Sequence, residues 1–159
     1  QLQHTVCHLH SVHGLVHRDL KDENVVVDGE YRIRLIDFGS AVSVNSPTDM
    51  AKQFHGTMAF AAPEIIRMSG GASGAPTGYD PLAAEVWSLG ILLYTMAMRK
   101  APFADPWSIL HADPPLPPHA ADDPHGPPGM YDLIRKLLCK DPGKRIKAHA
   151  IQSHPWLAT

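Results

Sequence analysis

The feature of this sequence that most restricts its fold is the dipeptide Asp28-Gly29, which stands between two short β-prone runs. Val25-Val26-Val27 precede the dipeptide, and the run from Arg32 to Ile36 follows it. Asp-Gly between such runs is a strong signal for a β-hairpin, because the tight turn needs residues that tolerate a positive φ. The two runs are therefore predicted to pair as neighbouring antiparallel strands.

Polar residues flank this predicted hairpin at the ends of the strands that meet. Asp19, Lys21 and Asn24 come before the first strand, and Asp37 directly follows the second. Phosphoryl transfer needs a carboxylate that orients an incoming hydroxyl and hard oxygen ligands for magnesium. Asp19 is the predicted base, and Lys21 is the cation near the transferred phosphoryl group. Asn24 and Asp37 are the predicted magnesium ligands.

These residues belong to two longer motifs, His17-Arg18-Asp19-Leu20-Lys21-Asp22-Glu23-Asn24 and Asp37-Phe38-Gly39. Both match the protein-kinase signature, and the chain resembles the C-terminal lobe of a eukaryotic-type protein kinase of the Ser/Thr branch. In appearance it is most similar to PAS-domain-containing Ser/Thr kinases. The resemblance implies a mainly α (α+β) fold over residues 1–159, in which a short β-hairpin carries the catalytic and magnesium-binding loops.

The same resemblance implies a nucleotide site and a protein substrate. ATP and Mg2+ are the expected cofactors, with Val26 and Ile36 forming the floor under the adenine and Glu23 lying near the ribose. His17 is expected to pack beneath the loop without transferring a proton. The sequence preference of the substrate stays open, because Glu23 favours a basic target whereas Arg99 and Lys100 put positive charge at the rim of the same groove.

Further family marks follow downstream. Gly56-Thr57 and Ala62-Pro63-Glu64 close the expected activation segment, and Thr57 is predicted to hydrogen-bond toward Asp19 and Lys21. Arg145 stands in Asp141-Pro142-Gly143-Lys144-Arg145, and the family pattern implies that it forms a buried ion pair with Glu64. Glu85 departs from the pattern, because the family usually has an Asp there that accepts hydrogen bonds from the catalytic-loop backbone.

The stretch from Ser40 to Thr57 is polar and is predicted to be a long loop without regular structure. Gln53 stands where related kinases often carry a phospho-acceptor. We therefore expect any activity not to require phosphorylation at that place, with Ser46 or Thr48 as alternative acceptors.

Helical spacing predicts three longer helices, over residues 2–12, 82–98 and 130–140. The second is apolar nearly all round, including Met96, and is predicted to be buried. Residues 69–76 are rich in Gly and Ser and are predicted to form a surface loop. Nine prolines between Pro102 and Pro128 argue against any regular helix there and favour an extended surface connection over an SH3-type ligand.

Composition restricts the partners. Lys and Arg number 14 against 16 Asp and Glu, a formal net charge of -2, so a nucleic-acid partner is not expected. Neither a signal peptide nor a membrane span is expected. The 2 cysteines do not make a disulfide framework, which favours a cytoplasmic or nuclear location.

The amphipathic pattern is already under way at Gln1, which suggests that an N-terminal kinase lobe or regulatory domains precede it. The resemblance places the phosphate-binding loop and its strand Lys in that part. Two functions therefore remain open: the catalytic lobe of a protein Ser/Thr kinase, or a non-catalytic kinase-like lobe that acts as a binding or scaffold module. The isolated chain is expected to show little or no activity.

Overall fold

The computed structural model describes residues 1–46, 49–70, 75–117 and 128–157. The predicted acceptor Thr48, residues 71–74 of the Gly-rich stretch and residues 118–127 of the proline-rich stretch lie outside these residues. The helices and strands follow the order α1 (Leu2–Val12), β1 (Leu15–Val16), β2 (Val25–Val27), β3 (Ile33–Leu35), β4 (Val42–Ser43), α2 (Pro63–Ser69), α3 (Pro81–Met98), α4 (Pro106–His111), α5 (Pro128–Leu137) and α6 (Ala148–Ile151).

Helix α3 is the centre of the fold. Its N-cap is Asp80, whose side chain accepts hydrogen bonds from the backbone N–H groups of Leu82 and Ala83, and Pro81 occupies the first helical position. Its apolar side chains reach three clusters of buried residues, around Trp87, Leu89 and Leu92. By length and composition α3 would also qualify as a membrane span, yet 61% of it is buried inside the protein, as expected for a core helix.

The exposure of α3 differs from the prediction at one end. Met96 is 70% exposed, although the apolar pattern had included it in the buried surface. Ala97 and Met98 of the same turn pack against the main buried cluster, so the last turn of α3 buries one side only and Met96 lies on its exposed side.

The predicted hairpin is confirmed. Strands β2 and β3 pair antiparallel with Val25 opposite Leu35 and Val27 opposite Ile33. Val25 and Leu35 pack against the cluster formed by Val6, Leu20 and Leu92. This register places Val26 and Ile36 on the opposite, solvent-facing side.

The activation segment is more regular than predicted. Residues Phe38–Ser40 form a 3-10 turn, and β4 pairs antiparallel with β1, so that Val16 lies opposite Val42. The two strands have only two residues each and lie 26 positions apart, which explains why local pattern did not reveal them. Beyond β4, Ala51 pairs with Tyr79 in an isolated antiparallel bridge.

Helix α4 contradicts the prediction that the proline-rich stretch holds no regular helix. Pro106 occupies the first turn of α4, where its missing N–H is no loss. Asp105 and Ser108 form a capping box, with the Ser108 N–H donating to Asp105 Oδ1 at 2.7 Å. The proline count was therefore a poor guide, because two of those prolines, Pro106 and Pro128, are the first residues of helices. Helix α5 also begins and ends two to three residues earlier than predicted.

The predicted Arg145–Glu64 pair is confirmed and is buried. Arg145 Nη1 donates to Glu64 Oε1 at 2.7 Å, and Nη2 donates to Oε2 at 2.9 Å. Arg145 also donates to the carbonyl oxygens of Ala83 and Cys139. One guanidinium therefore joins the start of α2, the start of α3 and the chain that follows α5.

Candidate active site

Three of the polar side chains named above converge on Asp19. Thr57 Oγ1 donates to Asp19 Oδ1 at 2.9 Å, and Lys21 Nζ lies 2.9 Å from Oδ2. Asn24 Nδ2 donates to Oδ2 at 3.1 Å and to the Asp19 carbonyl oxygen at 2.9 Å. Lys21 Nζ also donates to Thr57 Oγ1 at 3.2 Å. The predicted contacts of Thr57 are confirmed.

These contacts determine the protonation states of Asp19 and Lys21. Partial burial acts to raise the pKa of Asp19, but the hydrogen bonds from Lys21, Thr57 and Asn24 outweigh it, so the pKa lies below its usual value. The pKa of Lys21 is raised, first by its hydrogen bond to Asp19 and further by the charges of Glu23 and Asp37. At neutral pH the site therefore contains a carboxylate and an ammonium group in direct contact.

His17 supports the loop from below. Its side chain is fully buried, its Nε2 lies 2.9 Å from the Ile36 carbonyl oxygen, and its Nδ1 accepts a hydrogen bond from the Asp19 N–H at 3.3 Å. Because a carbonyl oxygen only accepts, the proton is on Nε2. The Phe38 ring packs edge-on against His17 at 4.8 Å between centroids. The predicted architectural place of His17 beneath the loop is confirmed.

Glu85 fixes the backbone of the same loop. The Arg18 N–H donates to Glu85 Oε2 at 2.6 Å, and Oε1 lies 3.0 Å from His10 Nε2. Arg18 has a φ of 66°, which is a left-handed conformation that non-glycine residues rarely adopt. The longer side chain thus still accepts the backbone hydrogen bond that the family pattern implies, and its second oxygen binds α1.

Asp37 lies at the end of the hairpin beside this group. It has a left-handed φ of 61°, and its Oδ1 accepts a hydrogen bond from the Gly39 N–H at 3.2 Å. The Ile36 N–H donates to the Asn24 carbonyl oxygen at 3.0 Å. The hairpin therefore connects the two predicted magnesium ligands through the backbone of Ile36, the residue that precedes Asp37.

Of the three remaining predicted residues, two lie on the outer side of the hairpin and one precedes it. Val26 and Ile36 are 39% and 42% exposed, and their positions in the register give them one shared face. Glu23 is exposed in the 3-10 turn Asp22–Asn24. Val26 and Ile36 together offer an apolar surface next to the polar group around Asp19, which is a suitable arrangement for a planar ring linked to phosphates.

The activation segment returns to the loop at Gly56. This residue has a φ of 125°, and a Cβ at its position would collide with the Arg18 carbonyl oxygen. The close approach needs glycine, and it places the next residue, Thr57, against Asp19. Arg18 Nε donates to the Ser40 carbonyl oxygen at the other end of the segment.

Three contacts of this site have no signal in the sequence: His10 with Glu85, Arg18 with Ser40, and Tyr79 with the Gln53 carbonyl oxygen. The first joins residues 75 positions apart, and the other two involve backbone carbonyl groups. Spacing rules describe one element at a time, so they do not reveal such pairs.

The comparisons agree with this geometry. The family model described as protein kinase domain matches residues 1–157. The chain belongs to the protein kinase family, and its relatives place it in the Ser/Thr branch.

The relatives are much longer than this chain. The Ser/Thr-protein kinase PSK2 of Saccharomyces cerevisiae is 36% identical over 158 residues, which cover 99% of this chain and 13% of that protein. Ppk6 of Schizosaccharomyces pombe is 37% identical over 98% of this chain and 18% of its own length. A testis-specific Ser/Thr kinase of Mus musculus is 34% identical, with 40% of its length covered. The presence of PSK2 and of PSK1 agrees with the subgroup suggested by the motifs.

Proposed function

We propose that this chain supplies the catalytic loop and the metal-binding residues of an ATP-dependent protein Ser/Thr kinase, and that an N-terminal lobe preceding it completes the nucleotide site. The observation that carries the proposal is the Asp19 carboxylate held by Lys21, Thr57 and Asn24. Protein kinase domains use ATP and a divalent metal and act on protein substrates. The identity of the metal as Mg2+ and the substrate are part of the proposal.

The geometry supports a definite role for Asp19. Its lowered pKa keeps the carboxylate ionised at neutral pH, so it can orient the incoming Ser or Thr hydroxyl and accept its proton as the new O–P bond forms. The bond between the γ-phosphorus and its bridging oxygen breaks, and ADP leaves. Lys21 remains protonated beside Asp19 and stabilises the negative charge of the transferred group.

The residues at the hairpin end fit a hard metal ion. The Asn24 amide nitrogen faces Asp19, which leaves its oxygen as the ligand atom, and Asp37 adds an exposed carboxylate. Bound Mg2+ would neutralise charge on the phosphates. Asn24 is buried, so its orientation is fixed before any ligand arrives.

Nucleotide binding is tested on the chain itself by measuring the melting temperature with and without Mg-ATP. Wild-type protein and Asp19→Asn should both show a rise, whereas Asp37→Ala should show none, because Asp37, unlike Asp19, is proposed to bind the metal. Asp22→Asn, an exposed neighbour in the same loop, is the matched control and should behave as wild type. Absence of a shift in the wild-type chain would favour the scaffold function.

Phosphoryl transfer is tested in the longer protein that includes the preceding segment. Asp19→Asn should lower kcat by about 10²- to 10⁴-fold, the usual effect of losing a general base, with ATP affinity retained. Asp22→Asn should retain activity. Equal activity of Asp19→Asn and wild type would overturn the assignment of the base.

A further inference from the structure

Tyr79 makes backbone contacts with the activation segment just before α3 begins. The Ala51 N–H donates to the Tyr79 carbonyl oxygen at 2.8 Å, and the Tyr79 N–H donates to the Ala51 carbonyl oxygen at 2.9 Å. The preceding Gly78 lies so close to the segment that a Cβ there would be 3.1 Å from both the Ala51 carbonyl oxygen and Met50 Cβ. The chain before α3 therefore packs directly on residues 50 and 51.

The Tyr79 side chain adds a contact to the same segment. Only 3% of Tyr79 is exposed, and its hydroxyl donates a long hydrogen bond of 3.4 Å to the Gln53 carbonyl oxygen. Burial raises the pKa of the hydroxyl, against the opposing effect of the neighbouring Arg18 guanidinium, so the hydroxyl stays a donor at neutral pH. Arg18 in turn binds the Ser40 carbonyl oxygen. Tyr79 and Arg18 thus lie side by side between the two arms of the segment.

We propose that Tyr79 is a positioning residue for phosphoryl transfer, because it fixes the arm of the activation segment that delivers Thr57 to Asp19. Phe54 packs on the main buried cluster, and Gly56 runs against the Arg18 carbonyl oxygen. Because these contacts restrict the short stretch between Gln53 and Thr57, a displacement of the Gln53 backbone is transmitted to the loop that would hold the substrate. The kinetic part of this inference rests on the proposed function, whereas its structural part does not.

The structural part is tested by hydrogen exchange on the chain itself, comparing Tyr79→Phe with Tyr94→Phe. Tyr94 is a matched control, since it is also buried and its hydroxyl donates to a backbone carbonyl oxygen, that of Pro115, at 2.9 Å. Tyr79→Phe should make peptides covering residues 49–57 exchange several-fold faster while α3 keeps its protection. Unchanged exchange at 49–57 in Tyr79→Phe, or an equal change in both variants, would overturn the inference.

The kinetic part is tested in the longer protein. Tyr79→Phe should raise KM for the protein substrate several-fold and leave KM for ATP unchanged, because the affected arm contacts the substrate side of Asp19. A purely structural role would lower kcat through loss of folded enzyme and leave both KM values unchanged, and that result would overturn the positioning role. If the wild-type protein is inactive, the proposed function fails while the exchange result still decides the structural part.

Discussion

Glu85 connects three parts of the molecule through one carboxylate. It is 2% exposed, and its two oxygens contact the Arg18 N–H of the catalytic loop and His10 of α1. Arg18 has an unfavourable φ, so this hydrogen bond helps to hold a backbone conformation that the residue alone would avoid. The family's shorter Asp is replaced here by a side chain that reaches both partners.

Replacing Glu85 by Asp should therefore destabilise this protein even though Asp is the usual family residue. The shorter side chain cannot hold both partners in their present positions, and one buried polar group is left without its hydrogen bond. The expected loss is about 1–3 kcal/mol of unfolding free energy, measured by urea denaturation. Glu30→Asp, at an exposed position of the hairpin turn, is the control. Wild-type stability of Glu85→Asp would show that the length of Glu85 does not matter.

Arg145 should be among the most sensitive positions outside the site. Arg145→Ala leaves the buried Glu64 carboxylate unpaired and removes donors from two carbonyl oxygens. Breaking a buried pair in this way costs about 3–5 kcal/mol, which should appear as a lower denaturation midpoint. Lys144→Ala removes a neighbouring cation that is 82% exposed and should change the midpoint little. Equal midpoints for the two variants would refute the architectural role of the pair.

At the scale of elements, α3 and α5 pack through a glycine. A Cβ at Gly90 would lie 2.8 Å from Leu137 Cβ and 2.8 Å from Leu138 Cδ2. Contacts this short would push the two helices apart. Gly90 thus permits a close approach of α3 and α5 that a larger residue would prevent. Two of the three buried clusters contain side chains from both sides of this contact.

Gly90→Ala tests that packing. Overfilling a close-packed contact costs about 1–3 kcal/mol, against a gain of about 1 kcal/mol in helix propensity, so the variant should be the less stable protein in thermal denaturation. Gly70→Ala is the control, because its φ is -70° and its nearest neighbour would lie at 3.5 Å. A stability of Gly90→Ala at or above that of Gly70→Ala would mean that the two helices separate without cost.

Lys140 connects the end of α4 to the chain after α5. Its Nζ donates to the Ile109 carbonyl oxygen at 2.6 Å and lies 4.0 Å from the centre of the Phe103 ring. Burial lowers its pKa to about 8, whereas the unfolded chain keeps a value near the usual 10.5. Below pH 8 both states are protonated, and the cost of burying the charge is fully present.

The consequence is a stability that rises with pH above 8. Between about pH 8 and 10.5 the unfolded state binds more protons at this position than the folded state, so the unfolding free energy increases. Because the side chain is partly exposed, the gain should be only on the order of 1 kcal/mol. The measurement is the slope of unfolding free energy against pH for wild type minus the same slope for Lys140→Met, with Lys144→Met as control. A zero difference in slope would show that the ammonium group of Lys140 is not destabilised by burial.

At the scale of the whole molecule, the chain divides into a helical core and a hairpin that rests on it. The sequence predicted α3 and the hairpin because each has a strong local pattern, and it predicted Thr57–Asp19 and Arg145–Glu64 through the family motifs. It did not predict β4 or the contacts of His10 and Tyr79, which depend on how separate elements meet. Proline content concealed α4, since one proline can start a helix as readily as end it.

The hairpin should open independently of the core. Val25 and Leu35 pack against the cluster formed by Val6, Leu20 and Leu92, while Val27 and Tyr31 are 61% and 84% exposed, and a two-stranded hairpin has little stability of its own. In hydrogen exchange at increasing urea, the β2–β3 amides should therefore exchange through local opening that depends weakly on urea, whereas α3 amides follow global unfolding. Val25→Ala should accelerate hairpin exchange, and Val27→Ala, at a position that is 61% exposed, should not. If β2–β3 and α3 lose protection together at every urea concentration, the hairpin and the core form one cooperative unit.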